Sequence, residues 1–347
     1  MIYDLIVVGN GLAAQTFLFE LFNTSLGNVK KSQNFSVAQI FSEEIAPACS
    51  VRTTSTVSLS GIEEGVSDLG NELHQSYFLF QDFFNKYHPD GVEPVAQVIT
   101  FNDLDQKEKL SKRYKGLDEL SNDLFKEKFE GKVLDSYVVE ADLFSKWFDE
   151  KNSAKKNLTR IKNFVKSIEK NEQGILECEL LNKEKIRAKK VLLCTGAHAR
   201  LYSHFFAETN ELEKTHVVPG AYLKRSIDLK SPSFYVTIDD HKLVYRASSQ
   251  TLVIGSASKK TPIYTPEFLE LKKILDLFNE KCTFSLGEMK DFKVVTGIRH
   301  KASKRRPFMR ALDKEETLFM INGFYKNGFT LSFLAAKVMA QKIYPEN

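Results

Sequence analysis

The chain opens with Ile2-Tyr3-Asp4-Leu5-Ile6-Val7-Val8-Gly9-Asn10-Gly11-Leu12-Ala13-Ala14, which predicts a buried strand, a Gly-x-Gly turn and the start of a helix. This order is typical of a site that binds the pyrophosphate of a dinucleotide. Gly9 provides the tight turn, Gly11 allows the pyrophosphate to approach the backbone closely, and Ala14 packs the helix on the strand. Leu12 and Ala13 begin the helix whose N–H groups face the phosphates. We predict that these five residues, Gly9, Gly11, Leu12, Ala13 and Ala14, bind the cofactor.

A second strand, turn and helix start lie near the other end, in Leu318-Phe319-Met320-Ile321-Asn322-Gly323-Phe324-Tyr325-Lys326-Asn327-Gly328-Phe329. This helix N-terminus, with its partial positive charge and its N–H groups, predicts a place for a second anionic group. A dinucleotide with two electron-rich ends, received by two helix termini, indicates FAD. We therefore predict cofactor contacts from Gly323, Asn327, Gly328 and Phe329.

The composition excludes several classes of protein. With 347 residues, 42% hydrophobic and 27% charged, the chain predicts one or two ordinary globular domains. A net charge of +4 gives no reason to expect nucleic acid as a partner. The four cysteines form no metal-type pair, and no signal peptide or membrane-spanning run is evident. We expect a reduced, cytoplasmic protein without a membrane partner.

The predicted second strand, at 35–41, departs from the usual dinucleotide pattern. An acid about 20 residues beyond the glycines normally ends this strand and binds the adenosine ribose. Here a longer connection, at 23–34, precedes the strand, and Phe41 or Ser42 occupies the acid's position. The first acids are Glu43 and Glu44. Either Glu43 reaches back to the ribose or this contact is missing.

A stretch rich in Ser and Thr follows at 49–61. In isolation it would indicate a polar loop or an edge strand. Beside a Gly-x-Gly motif, short hydroxyl side chains and backbone N–H groups suit contacts to phosphates and to the flavin ring. We predict such contacts from Ser50, Thr53 and Thr54.

The remaining patterns predict helices and strands in alternation. The predicted helices are 70–87, an amphipathic helical region over 103–132, 141–151 and 266–280, and the predicted strands are 159–169, 174–181, 191–197 and an antiparallel group over 233–258. Within them, Val165 and the turn at Thr195 and Gly196 are further predicted cofactor contacts.

Several sequence blocks stand out along the chain. In order, they are Gly9-Asn10-Gly11, 191–197, Leu243-Val244-Tyr245-Arg246, Val253-Ile254-Gly255-Ser256-Ala257, Gly297-Ile298-Arg299, Arg306-Pro307-Phe308 and Gly323-Phe324-Tyr325-Lys326-Asn327-Gly328. Taken together, they resemble the D-amino-acid-oxidase-like (DAO) family of flavoproteins, most closely its glycine oxidase and sarcosine oxidase types. The resemblance covers essentially the whole chain, and Gly-x-Arg followed by Pro and then Gly-x-x-x-Asn-Gly is far more specific than a lone Gly-x-Gly.

The resemblance implies an α/β fold with two interleaved domains. An FAD-binding, Rossmann-like domain with a parallel sheet would comprise 1–87, 138–215 and 297–347. A substrate-binding domain with a mixed or antiparallel sheet would comprise 88–137 and 216–296. Because no cysteine lies near Gly323, where some relatives attach the flavin, we expect non-covalent FAD.

The resemblance also implies an activity. A small amino acid or secondary amine would lose a hydride from its C–N carbon to flavin N5, water would hydrolyse the imine, and O2 would reoxidise the flavin. Arg299 matches the family arginine that holds the substrate carboxylate in a bidentate fork; without the Gly-x-Arg context it would be a surface residue of the basic run at 299–310. Tyr245 and Lys326 are the other predicted catalytic residues, although either position also suits packing. Arg246 is expected to support the sheet or the flavin, and Lys326 to stabilise reduced flavin.

Three alternatives stay open. A dehydrogenase of the same fold would pass electrons to a quinone or a protein. A flavoenzyme acting on a macromolecule such as tRNA would use the basic run at 299–310, although the nearly neutral chain argues against it. A flavin-binding scaffold would bind FAD without being reduced by any amine.

Gly11→Val should abolish FAD binding, because a branched side chain blocks the approach of the pyrophosphate to the backbone. The absorbance spectrum of the purified variant after saturation with FAD measures this. A variant that stays yellow would count against the predicted site.

Overall fold

The computed structural model describes residues 1–23, 35–45, 48–60, 64–114, 116–205, 212, 215–258, 267–303 and 306–345. The chain forms two compact units: Met1–Val51, Ser145–Val217 and Ile298–Asn347 in the first, Arg52–Phe144 and Val218–Gly297 in the second. The units alternate along the sequence. Their limits differ from the predicted domain limits, because residues 52–87 and 138–144 lie in the second unit.

Within the described residues the helices are α1 (Leu12–Asn23), α2 (Asp68–Tyr87), α3 (Leu104–Arg113), α4 (Ala141–Ser153), α5 (Phe268–Lys281) and α6 (Gly328–Ile343). The strands are β1 (Ile2–Val8), β2 (Val37–Phe41), β3 (Thr56–Ser58), β4 (Val92–Thr100), β5 (Asp118–Leu120), β6 (Phe129–Val139), β7 (Leu158–Lys162), β8 (Val165–Lys170), β9 (Leu176–Leu180), β10 (Lys185–Leu193), β11 (His216–Ser226), β12 (Phe234–Ile238), β13 (His241–Arg246), β14 (Thr251–Ser258), β15 (Lys293–Lys301), β16 (Phe308–Ala311) and β17 (Leu318–Asn322).

The first unit contains a sheet in the order β16-β17-β10-β1-β2-β7. Five of these strands, β17, β10, β1, β2 and β7, are parallel, and β16 is antiparallel to β17. The central strands end at one level because the Gly9 N–H donates to Ile40 O and the Cys194 N–H donates to Val8 O, each at 2.8 Å. The carboxyl ends of the parallel strands therefore share one edge, as in a Rossmann-like sheet.

Both faces of this sheet are covered, so its central strands are almost continuously apolar. On one face Leu5, Val7 and Phe319 pack against α1 and α6. On the other face Ile6 and Val191 belong to a core that includes β8 and β9. Full burial of each such side chain contributes roughly 1.5–3 kcal/mol.

The second unit contains a mostly antiparallel sheet in the order β15-β11-β14-β13-β12-β4-β6-β3. Among the strand pairings that the structure describes in this sheet, only that of β12 with β4 is parallel. One face packs on α5 through Leu271, Ile274 and Phe278. Tyr222, Tyr235 and other residues form a separate cluster. The prediction of a parallel sheet in one unit and a mixed sheet in the other is confirmed.

The predicted helices and strands agree with the structure where the apolar residues recur with a clear helical or strand spacing. Helices α2, α4 and α5 lie where predicted, although Pro266 falls outside the described residues, and β12, β13 and β14 form the antiparallel group. The connection predicted at 23–34 also lies almost entirely outside the described residues. The single strand predicted at 159–169 is two strands, because the chain turns at Asn163, whose N–H donates to Phe41 O at 2.9 Å.

The helical region predicted over 103–132 is wrong beyond Arg113, since β5 and the start of β6 follow α3. The strand pairing explains the difference. A Cβ on Gly131 would lie only 2.4 Å from the carbonyl oxygen of Ile99, so glycine at this position allows β6 to approach β4.

The last residues of β15, from Ile298 onward, belong to the first unit and pair with a turn of the same unit. The Tyr325 N–H donates to His300 O at 3.0 Å, and Lys301 bridges to Phe324. The His300 side chain is only 5% exposed, and neither ring nitrogen has a hydrogen-bond partner within the described part of the chain. Burial lowers the pKa of His300 to about 4; nearby Asn322 partly offsets this effect, and the charge of Arg200 reinforces it.

His300 should make the protein less stable in acid. The unfolded ring has a pKa of about 6.5, so the unfolded chain binds more protons between about pH 6.5 and 4. The free energy of unfolding should therefore fall, as the pH falls through this window, by on the order of 3 kcal/mol relative to His300→Phe. Denaturant titrations of both proteins at pH 7, 5.5 and 4 measure this. A difference between them that does not change with pH would contradict the assignment.

Candidate functional site

The turn after β1 has the geometry that the Gly-x-Gly pattern predicts. Gly9 has φ +123°, and a Cβ there would lie 2.4 Å from Cys194 O. A Cβ on Gly11 would lie 3.2 Å from Ser50 Oγ, which accepts a hydrogen bond from the Leu12 N–H at 2.9 Å. The segment at 49–51 therefore lies against the start of α1. Of the two alanines, Ala14 is fully buried in the core between α1 and the sheet, and Ala13 packs at its margin.

A polar network that the sequence did not predict holds this turn. The Gln39 amide donates to Gly9 O at 3.0 Å and to Asn10 Oδ1 at 2.9 Å, and Arg160 donates to the same Asn10 oxygen at 3.3 Å. The available signal was an amide in an otherwise apolar buried strand, since a buried polar group requires partners.

The end of β2, where a ribose-binding acid is usual, carries an aromatic side chain instead. Phe41 is buried, and the Arg160 guanidinium lies 4.7 Å from the centre of its ring. Glu43 stands in the exposed turn that follows β2. A contact from Glu43 to a ribose therefore stays a prediction.

The ends of β10 and β17 are tied together at the same edge. The Asn322 amide donates to Gly196 O at 2.9 Å, and its oxygen accepts from the Gly323 N–H at 2.8 Å. Both glycines have positive φ, +54° at Gly196 and +82° at Gly323. Beside this tie, the buried Thr195 Oγ1 has no hydrogen-bond partner within the described residues.

Open space lies beside this edge. Among the described residues, a Cβ on Gly196 or Gly328 would meet no atom of a non-adjacent residue within 4 Å. The Asn327 side chain makes no capping hydrogen bond at the start of α6, while Phe329 is buried in its first turn. A buried hydroxyl without a partner, unfilled space and a helix terminus not capped by Asn327 fit a large anionic cofactor.

Two predicted catalytic residues, Arg299 and Lys326, lie on adjoining segments of the first unit. Arg299 is partly buried on β15 and Lys326 is exposed in the turn before α6. The hydrogen bond from the Tyr325 N–H to His300 O joins the two segments directly next to these residues. The basic run at 299–310 is therefore not a uniform surface, and its residues 304–305 lie outside the described residues.

The second unit holds Thr53 and Thr54. Thr54 O accepts from the buried Arg246 guanidinium at 2.7 Å, and Arg246 lies 3.8 Å from Glu140. Burial lowers the pKa of Arg246, an effect that Glu140 opposes. The Thr53 side chain accepts from the Ser55 N–H at 3.4 Å. Arg246 thus ties β13 to the segment that carries the two threonines.

Two predicted site residues pack in cores instead of presenting side chains. Tyr245 is 1% exposed on the α5 side of its sheet, and its hydroxyl accepts from the Leu229 N–H at 3.2 Å, so we withdraw it as a catalytic residue. The alternation of β13 did not reveal which face α5 covers. The Val165 side chain is likewise buried, and its carbonyl accepts from the Tyr202 hydroxyl at 2.9 Å. A cofactor contact from Val165 would have to come from its backbone.

Other kinds of site are not found in the described part of the chain. No cluster of three or more metal-ligating side chains is present there. The four cysteines form no disulfide within these residues, and Cys178, Cys194 and Cys282 are buried. Over the same residues, no helix combines the length and apolar character needed to cross a membrane.

Known structures share this fold over nearly the whole chain. Glycine oxidase from Bacillus cereus superposes with a TM-score of 0.78 at 16% identity, covering 99% of this chain and 96% of that one. L-alpha-glycerophosphate oxidase from Mycoplasma pneumoniae, solved with FAD bound, gives 0.79 at 12%, covering 99% and 95%. Iminodiacetate oxidase from Chelativorans sp. BNC1 gives 0.76 at 13%, covering 99% and 96%.

No curated protein sequence matches the chain. The family model described as "FAD dependent oxidoreductase" (DAO) matches residues 5–342. That match includes the Gly-x-Gly turn after β1, the edge at Thr195, and the turn that carries Lys326. The chain therefore belongs to the DAO family of FAD-dependent oxidoreductases.

Proposed function

We propose that this FAD-dependent oxidoreductase oxidises the C–N bond of a small amino acid or secondary amine. The observation that carries the proposal is the juxtaposition of Arg299 and Lys326 through the hydrogen bond between Tyr325 and His300. It places a guanidinium and an ammonium on neighbouring segments at the start of α6, where the helix N-terminus adds positive potential.

The two cations would have different roles. The Arg299 guanidinium would bind the substrate carboxylate in a bidentate fork and so fix the direction of the Cα–H bond. Lys326 and the N-terminus of α6 would stabilise negative charge that develops on the cofactor. Bound FAD supplies the acceptor for the hydride. The substrate also loses a proton from nitrogen, and water then converts the resulting imine to a carbonyl compound and a free amine or ammonia.

We propose the other cofactor contacts as the sequence predicts them. Gly9, Gly11, Leu12, Ala13 and Ala14 would hold the pyrophosphate together with Ser50. The proposed flavin contacts are Thr53, Thr54, Thr195, Gly196, Arg299, Gly323, Asn327, Gly328 and Phe329, with Glu43 and the backbone of Val165 towards the adenosine. We propose non-covalent FAD, the first unit as the FAD-binding domain, the second as the substrate-binding domain, and O2 as the electron acceptor.

The names of the structural relatives support an amine donor but do not exclude a donor of another kind. Two are named as oxidases of glycine and of iminodiacetate, both amines. A third is named as an oxidase of glycerophosphate, a compound that contains no amine. An arginine can form a bidentate fork with a carboxylate or with a phosphate. The test must therefore include both kinds of donor.

The first experiment is an absorbance spectrum of the purified protein, followed by anaerobic addition of glycine, sarcosine, proline, D-alanine and sn-glycerol 3-phosphate. Bleaching of the flavin bands by an amine supports the proposal, and bleaching by the glycerol phosphate alone rejects the C–N assignment. Bleaching by none of these compounds would favour a macromolecular substrate or a scaffold. Reoxidation by O2, compared with reoxidation by an artificial acceptor, then tests O2 as the acceptor.

Arg299→Ala should raise KM for a carboxylate substrate by on the order of 100-fold, because it removes two charge-assisted hydrogen bonds worth about 3 kcal/mol together. FAD should remain bound. Steady-state kinetics and the flavin spectrum measure the two effects. Arg310→Ala, at an exposed position of β16 in the same basic run, is the matched control. Unchanged kinetics in Arg299→Ala would remove this residue from the site.

A further inference from the structure

Arg299 and Lys301 lie on the same side of β15. In a strand, successive side chains point to opposite faces of the sheet, so residues two apart lie on the same face. The burial of these residues follows that alternation: His300 is buried between them, while Arg299 and Lys301 are both partly exposed. Their Cα atoms are then about 6.6 Å apart, two strand rises. A guanidinium and an ammonium are therefore presented side by side.

The side chains of Lys301 and Lys326 both lie near the ring of Tyr325. The Lys301 Nζ lies 5.5 Å from the centre of the Tyr325 ring, and the Lys326 Nζ lies 5.8 Å from it. The backbone fixes this arrangement, since Lys301 bridges to Phe324 and the Tyr325 N–H donates to His300 O. Two ammonium groups thus converge on one aromatic ring beside Arg299.

Within the described residues, no carboxylate forms an ion pair with Lys301. Many exposed lysines in the same part of the chain, such as Lys342 and Lys170, do pair with an acid. An exposed cation–π contact contributes only about 0.5–1 kcal/mol. Positive groups held close together repel one another, so the clustering of Arg299, Lys301 and Lys326 favours the binding of an anionic ligand.

We propose that the substrate is an amine that carries two carboxylates. This inference rests on the proposed function, since it assigns the first carboxylate to Arg299. Lys301 binds the second carboxylate, and Lys326 adds to the positive potential around it. Arg299 thus orients the reacting carbon, and Lys301 determines specificity. The spacing of the two cations suits carboxylates separated by a short chain, as in an amino dicarboxylic acid.

Equilibrium binding tests the inference without any chemical turnover. Succinate carries two carboxylates and no oxidisable amine, and succinamate replaces one carboxylate with a neutral amide of nearly the same shape. Calorimetry on the FAD-saturated enzyme should show that succinate binds at least about tenfold more tightly than succinamate. This preference should be lost in Lys301→Met, which keeps the chain length and removes the charge.

Lys337→Met is the matched control, because Lys337 is an exposed lysine on α6 outside the cluster. It should keep the full preference for succinate. An equal loss in both variants would show a general effect of net charge and would overturn the assignment of Lys301. Equal binding of succinate and succinamate by the wild type, or no binding of succinate, would also overturn it.

Turnover separates this inference from the proposed function. Aspartate should exceed asparagine in kcat/KM at least about tenfold, for whichever enantiomer reduces the flavin, and Lys301→Met should reduce this ratio. Flavin reduction by asparagine as efficient as that by aspartate rejects the second carboxylate and leaves amine oxidation intact. Selective binding of succinate without reduction by any amine rejects amine oxidation and leaves the anion site intact.

Discussion

Gly9 approaches the backbone of the neighbouring strand so closely that no side chain fits between them. A Cβ at this position would come within 2.4 Å of the Cys194 carbonyl oxygen, and the positive φ of Gly9 is rarely adopted by other residues. Because this contact is possible, β1 and β10 end at the same level and α1 begins at once. The common edge, with its turns and helix N-termini, exists only because those strands end together.

Neutral amides then hold that edge in place. Gln39 binds the turn after β1, and Asn322 joins the ends of β10 and β17, in each case through backbone groups. A buried amide can satisfy backbone donors and acceptors without the large desolvation free energy of a buried charge. Arg299, Lys301 and Lys326, in contrast, are at least partly exposed on β15 and in the turn before α6.

The sequence predicted what depends on local periodicity and on short motifs. It identified the Gly-x-Gly turn, the terminal helices and the mixed sheet of the second unit, because each is encoded within a few consecutive residues. It failed where pairing with distant residues decides the structure. The charged stretch after Arg113 has helical spacing, yet β6 forms there because Gly131 can pack against β4.

The same limit applied to the site. The alternation in β13 indicated which residues share a face with Tyr245 but not that α5 covers this face. Lys301 looked like one more member of a basic run, since only the pairing of β15 with the turn at Phe324 and Tyr325 distinguishes it from its neighbours. Arg246 was expected to support the sheet or the flavin, and its bond to Thr54 O specifies what it holds.

The strand order of the parallel sheet in the first unit also determines when each strand can pair while the chain is being synthesised. Val8 pairs with Ile40 soon after it is made, but its other partner is Leu193, and Leu193 in turn needs Met320. Pairings between such distant residues form slowly, because a long loop must close before any contact stabilises it. On the ribosome, one edge of β1 therefore stays unpaired until β10 has emerged, and the far edge of β10 then stays unpaired until β17 emerges near the end of the chain. Nascent chains that stop before β17 should be the species most prone to aggregate and most in need of a chaperone.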